Sequence, residues 1–481
     1  MKRYQALAEE TAQRIRSGSL KPGDRLPSVR EVRDLRGLSA STVFSAYYAL
    51  ESQGLVEARN RSGYYVTAHA LAGTAEPGIS APQAKAMDVD VSALVFQVLT
   101  QARQRDMVPL GSAFPSPELF PFDKIARSLA RAMRHMNPWQ TVQDLSPGNL
   151  ELRHQIALRY GLAGIDVPPS QIVVTNGAME ALNLCLDVVT QPGDVVAIET
   201  PAFYAALQAL QRRRVRAVEV QTHPRTGVDL ASLESVLDRH PVKACWFMPT
   251  FQNPMGCTMP DEAKAGLVGM LTQRGIPLIE DDVYGELYHG TRRPRPAKGW
   301  DTEGWVLHCS SFSKSLAPGY RVGWVSGGRF ATQLGRLKLM SSLATALPSQ
   351  LALQEFLGQQ SFDRHLRALR DALRCQQASA LRVIESHFPF GTRVTRPAGG
   401  YFLWVELPEE VDALELHRQA LLQGVGVAPG HLFSCDQRYR HHLRINHGHP
   451  GDRRFEPALR LLGELAGRLV ASRPTPASAQ V

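Results

Sequence analysis

Hydrophobic residues are spaced in two ways along the chain, and the change of spacing separates a short first part from a long second part. In the first part, apolar residues recur every three to four positions in segments that predict three helices, at residues 4–17, 28–37 and 40–53. Two strand-like runs follow, at residues 54–58 and 64–66, and the loop between them predicts a hairpin. Three helices followed by a hairpin predict a winged helix-turn-helix.

This predicted winged helix, residues 1–69, carries side chains that suit DNA. Its third helix fits the major groove, where short hydroxyl side chains at a helix start bind phosphates or base edges. Arginines before and after this helix suit the backbone of a double-stranded DNA operator. We therefore expect DNA contacts from Ser28, Arg30, Ser39, Ser41, Thr42, Arg59 and Arg61. The alternative is a small helical dimerisation module with a solvated basic loop.

The composition changes twice after the predicted hairpin. Residues 70–89 are rich in Ala, Gly, Pro and Ser and predict a linker, with an irregular surface loop of the next domain as the alternative. Strand-like runs then alternate with helical patterns over residues 90–471, which predicts an α/β fold with a mainly parallel sheet. We expect residues 472–481 to form a flexible tail.

Chemically distinct groups follow the predicted strands of this second domain, at the sheet edge where ligands gather in α/β folds. Gly177 and Ala178 open a helix whose free N–H groups suit an anion. The other groups are Phe203, Asn253, Asp281, Tyr284, Ser311, Ser313, Lys314, Arg321 and Arg444. Taken singly, these types have structural alternatives: a solvated lysine, a core aromatic, a turn-forming asparagine, or an arginine in a surface ion pair.

One ligand uses these groups together. A partly desolvated lysine on a loop shifts toward its neutral amine and can attack a carbonyl. Pyridoxal 5′-phosphate offers an aldehyde for Lys314, a phosphate, a flat ring, a phenolic oxygen and a pyridine nitrogen. A carboxylate opposite that nitrogen keeps it protonated, so that the ring accepts electrons. The remaining Arg444 fits the carboxylate of an amino acid.

Composition narrows the possibilities further. The net charge is +9, which permits a polyanionic partner, and no apolar run approaches the roughly 20 residues that span a bilayer. No signal-peptide pattern opens the chain, so we expect no membrane association and a cytoplasmic protein. The six cysteines are scattered, which argues against a zinc module or a disulfide framework. A histidine cluster lies around Arg444, but no acidic or cysteine ligands share its spacing, and we predict no metal site.

The first domain closely resembles the winged helix of GntR-type regulators. The resemblance rests on residues 22–28 (PGDRLPS), residues 41–43 (STV) and residues 50–54 (LESQG). That family often has an arginine at the start of the recognition helix, where this chain has Ala40. The departure implies that base recognition relies on Arg30 and on contacts from the wing.

The second domain resembles fold type I aminotransferases, which implies a large α/β subdomain and a smaller α+β C-terminal subdomain. The resemblance rests on residues 176–178, 253–256, 281–284, 311–314, Arg321 and 443–446. It implies that Lys314 holds the cofactor as an internal aldimine and that Asp281 faces the ring nitrogen. It further implies that Asn253 and Tyr284 bond the phenolic oxygen, that Phe203 stacks on the ring, and that Arg444 holds the substrate carboxylate. The phosphate is held, on the same resemblance, by Gly177, Ala178, Ser311, Ser313 and Arg321.

The fusion resembles the MocR branch of GntR-type regulators, as does the run of residues 111–121 (GSAFPSPELFP). This resemblance implies a head-to-tail homodimer that senses an amino acid or amine effector through aldimine exchange. Many relatives have a tyrosine near residues 142–144 that reaches the partner's phosphate, and this chain has none there. Every residue needed for transamination is nevertheless present, so the alternative is an active aminotransferase with an accessory winged-helix module.

Overall fold

The structure is a computed structural model that describes residues 3–16, 20, 23–52, 55–59, 63–66, 74–83, 85–101, 107–359 and 361–472. The chain divides into two compact units. The first comprises residues 1–75 and 378–388, and the second comprises residues 76–377 and 389–481. No helix of the described ranges is both long and apolar enough to cross a bilayer.

The first unit contains the predicted helices and hairpin. Its elements are α1 (Arg3–Arg16), α2 (Val29–Arg36), α3 (Ala40–Ser52), β1 (Val56–Arg59) and β2 (Gly63–Val66). The strands β1 and β2 pair in antiparallel orientation. The hydrophobic face of α3, formed by Val43, Ala46, Tyr47 and Leu50, is buried as its spacing predicted.

Local capping fixes where the helices of this unit begin and end. The Ser28 hydroxyl accepts a hydrogen bond from the Glu31 N–H at 3.2 Å, and the Ser28 N–H donates to the Glu31 carboxylate at 2.6 Å, which makes a capping box. Gly37 ends α2 in the left-handed region, at φ 60°. The Ser39 hydroxyl accepts from the Thr42 N–H at 3.2 Å and caps α3. Ser28 and Ser39 are therefore the N-cap residues of α2 and α3.

The second unit alternates helices and strands. Its helices are α4 (Ser92–Gln101), α5 (Phe122–His135), α6 (Gln140–Gln143), α7 (Leu150–Leu162), α8 (Ala178–Val189), α9 (Tyr204–Arg213), α10 (Leu230–Arg239), α11 (Asp261–Gln273), α12 (Ala331–Ser342), α13 (Leu347–Leu357), α14 (Ser361–His387), α15 (Ala413–Leu421) and α16 (Phe455–Ser472). Of α14, residues 378–387 are counted with the first unit. Ser472, expected in the tail, closes α16, and residues 473–481 lie outside the described ranges.

The strands of this unit are β3 (Ile172–Thr175), β4 (Val195–Glu199), β5 (Arg216–Val220), β6 (Thr222–His223), β7 (Gly227–Val228), β8 (Val242–Phe247), β9 (Leu278–Asp281), β10 (Val306–Ser311), β11 (Gly323–Ser326), β12 (Arg393–Val394), β13 (Phe402–Glu406), β14 (Ala428–Pro429) and β15 (His442–Asn446). Among the described residues, seven strands form one sheet in the order β3-β11-β10-β9-β8-β4-β5. In this sheet only β11 is antiparallel to its neighbours, and all other adjacent strands are parallel. The carboxyl ends of the six other strands therefore share one edge, as the α/β prediction required.

A smaller antiparallel sheet forms the C-terminal part of the unit, in the order β12-β13-β15-β14. It carries Arg444 at the centre of β15, paired with Trp404 of β13 and Ala428 of β14. The parallel strands of the large sheet are almost continuously hydrophobic. Their side chains pack into buried apolar clusters on both faces of the sheet. The smaller α+β subdomain expected from the sequence is confirmed.

The segment predicted as a linker does not stand apart from the second unit. The Met87 N–H donates to the Ala217 carbonyl at 2.8 Å, and the Ser80 hydroxyl accepts from the Thr222 N–H at 2.7 Å. Ala217 lies on β5, an edge strand whose outer backbone groups need partners. The described residues between 76 and 89 therefore follow the alternative interpretation, an irregular segment that packs on the second unit.

Candidate functional site

Lys314 lies just beyond β10, on the edge where the parallel strands end. Its Nζ donates to the Ala113 carbonyl at 2.8 Å and lies 3.7 Å from the centre of the Phe114 ring. Desolvation lowers the pKa of Lys314 to about 7; the positive charges of Arg444 and Arg321 lower it further, while Asp281 opposes the shift. A lysine of this kind has a substantial neutral fraction at physiological pH, as a nucleophilic amine requires.

Asp281 ends β9, and one oxygen of its carboxylate remains without a hydrogen-bond partner. Its two neighbours are bonded to cationic or N–H groups of the protein: Glu280 accepts from the Ala297 and Lys298 N–H groups at 2.6 and 2.8 Å, and one oxygen of Asp282 accepts from Arg293 at 2.7 Å while its other oxygen is unpartnered in the described structure. The buried Asp281 Oδ1 has no such partner among the described residues. Burial, with the nearby charge of Asp282, raises the pKa of Asp281 to about 7. The geometry leaves this oxygen available for a donor that the chain itself does not provide.

The start of α8 forms a cradle for an anion. No side chain caps this helix, whose N-cap residue is Gly177; the Glu180 N–H donates to the Gly177 carbonyl at 3.2 Å, and the amides of Ala178 and Met179 before it suit an anion. The Arg321 guanidinium reaches the same place, with Nη1 donating to the Ser313 hydroxyl at 3.2 Å and Nη2 to the Asn176 carbonyl at 3.3 Å. A Cβ on Gly177 would overlap Arg321 Nη2, so a larger residue does not fit.

Ala178, Ser311 and Ser313 belong to this cradle as well. Ser311 and Ser313 are buried, and the Ser313 N–H points to the Ser311 hydroxyl at 3.4 Å. Ala178 is the first residue of α8, and its neighbour Gly177 packs against Gly323 of β11. The residues that the sequence predicted for phosphate are therefore brought together around the end of Arg321.

Buried aromatic and amide groups form the next part of the site. The Asn253 amide lies 3.5 Å from the Tyr284 hydroxyl, and both residues are fully buried. Burial raises the pKa of the Tyr284 hydroxyl, so it stays protonated and can donate a hydrogen bond. Phe203 is half-buried and packs against the apolar cluster that contains Tyr284 and Met248.

Arg444 is fully buried, which makes its interpretation as an arginine in a surface ion pair wrong. Nη1 donates to the Asn253 side-chain oxygen at 3.0 Å, Nη2 donates to the Gly111 carbonyl at 2.7 Å, and Nε has no partner in the described structure. The Phe402 ring lies 4.3 Å from the guanidinium carbon. A buried guanidinium held only by neutral oxygens suits an anionic ligand.

The segment of residues 111–114 closes over these groups, and the residue-by-residue interpretation of the sequence did not place it in the site. Its carbonyl oxygens accept from side chains of the site: Arg444 donates to Gly111, Lys314 donates to Ala113, and the Tyr401 hydroxyl donates to Ala113 at 3.0 Å. The Asn446 amide fixes the segment from β15. The resemblance of residues 111–121 to the MocR branch was the one sequence feature that could have indicated this part of the site.

A buried hydrogen-bonded chain behind Asp281 was also missed. Trp324 Nε1 donates to the Tyr160 hydroxyl at 3.0 Å, and that hydroxyl lies 2.6 Å from His308 Nδ1. His308 Nε2 lies 3.1 Å from the Asp282 carboxylate, which also binds Arg293. These hydrogen bonds hold the end of β9 on the side opposite to Asp281.

The residues expected to contact DNA fall into two groups. Arg30 is exposed on α2, and Ser41 is exposed on α3. The Ser39 hydroxyl bonds those of Ser41 and Thr42 at 3.0 and 2.8 Å, and the Ser28 hydroxyl caps α2, so these hydroxyls also serve the helix starts. Arg61 and the Arg59 side chain lie outside the described residues.

These features fit pyridoxal 5′-phosphate. The orphaned Asp281 oxygen suits a protonated ring nitrogen, the uncapped helix with Arg321 suits a phosphate, and Lys314 suits an aldehyde. No group of three or more His, Cys, Asp and Glu side chains in the described ranges is arranged to hold a metal ion.

Comparisons with known proteins identify both parts of the chain. Residues 105–454 match the aminotransferase class I and II family, and residues 3–66 match the gntR family of bacterial regulatory proteins. The uncharacterized HTH-type transcriptional regulator YdcR of Escherichia coli is 46% identical, with 97% of this chain and 99% of that protein covered. The 2-aminoadipate transaminase of Thermus thermophilus is 30% identical, with 78% of this chain and 94% of that protein covered.

A solved structure extends the comparison to the fold and the cofactor. The α-aminoadipate aminotransferase LysN of Thermus thermophilus, complexed with N-(5′-phosphopyridoxyl)-L-leucine, matches with a TM-score of 0.71 and 29% identity. The match covers 80% of this chain and all of that one. The chain therefore belongs to the MocR-type regulators of the GntR family, in which a winged helix precedes a fold type I aminotransferase domain that uses pyridoxal 5′-phosphate.

Proposed function

We propose that the protein is a transcriptional regulator that senses an amino acid or amine effector at its cofactor site. In this proposal residues 1–69 bind the operator, residues 90–471 bind cofactor and effector, and the two are linked within a head-to-tail homodimer in the cytoplasm. The observation that carries the proposal is the convergence of Asp281, Arg321 and Arg444 on Lys314, whose pKa responds to all three charges. The gntR match over residues 3–66 supports DNA as the partner.

Each side chain has a proposed role that follows from its surroundings. The bound cofactor supplies an aldehyde that reacts with amines and a ring that accepts electrons. Asp281 holds the proton on the ring nitrogen, and a carboxylate held by that donor ionises more readily than the unpartnered one. Lys314 binds the aldehyde carbon when its amine is neutral, and it can also carry a proton. These two groups set the charge state of the site.

The other roles concern binding and orientation. Gly177, Ala178, Ser311, Ser313 and Arg321 hold the phosphate. Asn253 and Tyr284 donate to the phenolic oxygen of the ring, and Phe203 packs on its face. Arg444 binds the effector carboxylate, since its Nε is unpartnered and its other nitrogens bond only neutral oxygens in the described structure.

The segment of residues 111–114 supplies a route from effector to conformational change. Arg444 and Lys314 both donate to its carbonyl oxygens. An effector carboxylate at Arg444 competes with the Gly111 carbonyl, and an effector amine at the cofactor changes what Lys314 binds. The effector thereby weakens the contact of Arg444 with the segment and frees the Lys314 amine to donate to the Ala113 carbonyl, and it must favour this arrangement to shift the equilibrium.

The second candidate is a catalytically active aminotransferase with an accessory winged helix. It is favoured by the presence of every group discussed above and by the 30% identity to a 2-aminoadipate transaminase over 78% of the chain. In that case Lys314, with a pKa near 7, accepts and returns the proton that the reaction moves.

One experiment separates the two candidates. The purified, cofactor-loaded protein is mixed with each of the 20 common amino acids and simple amines, and the visible absorbance of the cofactor is followed together with binding of an operator duplex selected from a random library. A regulator changes its DNA affinity with the same compound that changes the absorbance. Many turnovers with a keto acid, without any change in DNA affinity, would favour the enzyme and reject the regulatory proposal. Lys314→Ala, which we expect to fold but not to hold the cofactor covalently, is the control.

A further inference from the structure

The exposed face of α3 is unusual for a helix that enters the major groove. Its solvent-facing side chains, spaced by three and four residues, are Ser41, Phe44, Ser45 and Tyr48. Phe44 and Tyr48 are 53% and 71% exposed, although both are large aromatic residues. Exposed aromatic stripes on a small domain mark a surface that binds a partner.

The helix cannot rotate to bury this stripe. Its opposite face, with Val43, Ala46, Tyr47 and Leu50, is fully packed in the core of the first unit. The Tyr47 hydroxyl also donates to the Pro27 carbonyl at 2.6 Å, which fixes α3 against the turn before α2. Phe44 and Tyr48 are therefore held outward by the packing of their neighbours.

The stripe lacks the side chains that select guanine, adenine or cytosine. Guanine is selected by Arg or Lys, adenine by Asn or Gln, and cytosine by Asp or Glu, and none of these lies among the four exposed residues, whose two serines hydrogen-bond base edges without selecting one base. An apolar side chain reads the C5-methyl group of thymine. Ala40, at the start of α3, adds no charged group.

Charge elsewhere in the first domain accounts for attraction to DNA but not for sequence preference. Residues 1–69 contain eleven Lys and Arg against seven Asp and Glu. Arg36 is bound to Glu10 and Arg33 to Asp34, whereas Arg30 is exposed with no ion pair in the described structure. Cations that bind phosphates carry no sequence information, and an Arg30 that contacts a base reads guanine, so among the described residues the reading of thymine falls to α3.

We propose that Phe44 is the residue that determines operator specificity, by packing against the methyl group of a thymine in each half-site. The proposal rests on the proposed function, since it needs the first domain to bind an operator. Tyr48, one turn further along α3, extends the apolar stripe toward the flank of the groove. The operator of this protein is accordingly expected to have an invariant thymine where α3 meets the base pairs.

Deoxyuridine provides the test, because it differs from thymidine only by the missing methyl group. The full-length, cofactor-loaded protein first selects binding sites from a random duplex library. The selected duplex is then made with each thymine replaced in turn by uracil, and the dissociation constants are measured by fluorescence anisotropy. We expect the uracil at the contacted position to weaken binding about four-fold in each half-site, as for the loss of one buried methyl group.

Variants show whether Phe44 is responsible. In Phe44→Ala the thymine and uracil duplexes should bind with equal affinity, while Phe44→Leu should still distinguish them. Ser45→Ala, on the same face, is the matched control and should keep the wild-type penalty. Arg30→Ala should weaken both duplexes by the same factor.

The outcomes separate this inference from the function on which it rests. Selection of a specific site in which no uracil substitution weakens binding, or an unchanged uracil penalty in Phe44→Ala, would overturn the role of Phe44 and leave the regulator intact. If the full-length protein selects no sequence and binds no duplex, the proposed function and the inference both fail.

Discussion

Replacing Gly177 by alanine tests the anion cradle at its most constrained point. Gly177 has φ 86° and ψ 169°, a conformation that is open essentially to glycine alone. The Cβ of an alanine would overlap Arg321 Nη2 and lie 3.0 Å from the guanidinium carbon. Because the backbone here is fixed between β3 and α8, the arginine side chain is the group that has to move.

Two separate costs follow. The unfavourable backbone conformation lowers the free energy of unfolding by about 1–3 kcal/mol. Displacement of Arg321 removes hydrogen bonds from a charged donor to the cofactor phosphate, each worth about 1.5–3 kcal/mol. We therefore expect the dissociation constant for pyridoxal 5′-phosphate to rise by about 10- to 150-fold.

The assay is cofactor titration by visible absorbance, with urea unfolding of the cofactor-free protein measured in parallel. Gly467→Ala is the matched control, because Gly467 lies in α16 with no neighbour within 4 Å of its Cβ position, and it should leave the affinity unchanged. If the effect acts through the guanidinium, Gly177→Ala should add little in an Arg321→Ala background. A cofactor affinity within about two-fold of wild type, or fully additive effects, would refute the reasoning.

Three further predictions concern separate parts of the molecule. Tyr160→Phe leaves the Trp324 N–H and His308 Nδ1 without their shared partner and should lower the free energy of unfolding by about 2–3 kcal/mol in urea titrations; a loss below about 0.5 kcal/mol would contradict this. Burial raises the pKa of Glu199 from 4.5 to about 8, so the folded protein holds a proton that the unfolded chain has lost, and its stability falls as the pH rises between those values. Thermal unfolding of cofactor-free Glu199→Gln should therefore depend less on pH over this window, and an unchanged dependence would show that Glu199 does not titrate there. Arg30→Ala should reduce the dependence of operator binding on salt by about one unit of log–log slope, and an unchanged slope would remove Arg30 from the phosphate contacts.

Parallel strands place their carboxyl ends together, and this rule is what let the sequence predict which side chains lie at one edge of the sheet. Glu280 and Asp281 end β9 and Asp282 follows it, and alternation along a strand puts the middle residue on the opposite face from the other two. In the structure Glu280 accepts from the N–H groups of Ala297 and Lys298 and Asp282 binds Arg293, whereas no cationic side chain bonds Asp281 among the described residues. The local pattern thus separates Asp281, the residue that we propose for the ring nitrogen, from its two acidic neighbours.

The missed parts depend on partners far apart in the chain. Tyr160 and His308 are separated by 148 positions, and neither has a neighbour in sequence that indicates the other. The closure of residues 111–114 over Lys314 likewise depends on Arg444, which lies 333 positions after Gly111. Periodicity reports which face of an element is buried but not which buried polar group it meets.

The charges of the site also distinguish between an amino acid and a simple amine as the effector. Arg321, Arg444 and Lys314 are close enough that the two arginines lower the pKa of the lysine, and Asp281 is the acidic group that opposes them. The phosphate of the cofactor balances Arg321, but Arg444 retains only neutral oxygens as partners within the described structure. An amino acid supplies the missing anion, whereas a simple amine leaves the buried charge unbalanced.

We therefore expect an amino acid to bind more tightly than the amine that remains when its carboxylate is removed. A charged hydrogen bond of about 1.5–3 kcal/mol corresponds to a preference of about 10- to 150-fold. Leucine and isopentylamine form one such pair, titrated by the visible absorbance of the cofactor. Arg444→Met should lower the affinity for the amino acid toward that of the amine, because the side chain that recognises the carboxylate is gone. Equal affinities in the wild-type protein would show that the carboxylate does not meet Arg444, and a preference that persists in Arg444→Met would assign carboxylate binding to a different residue.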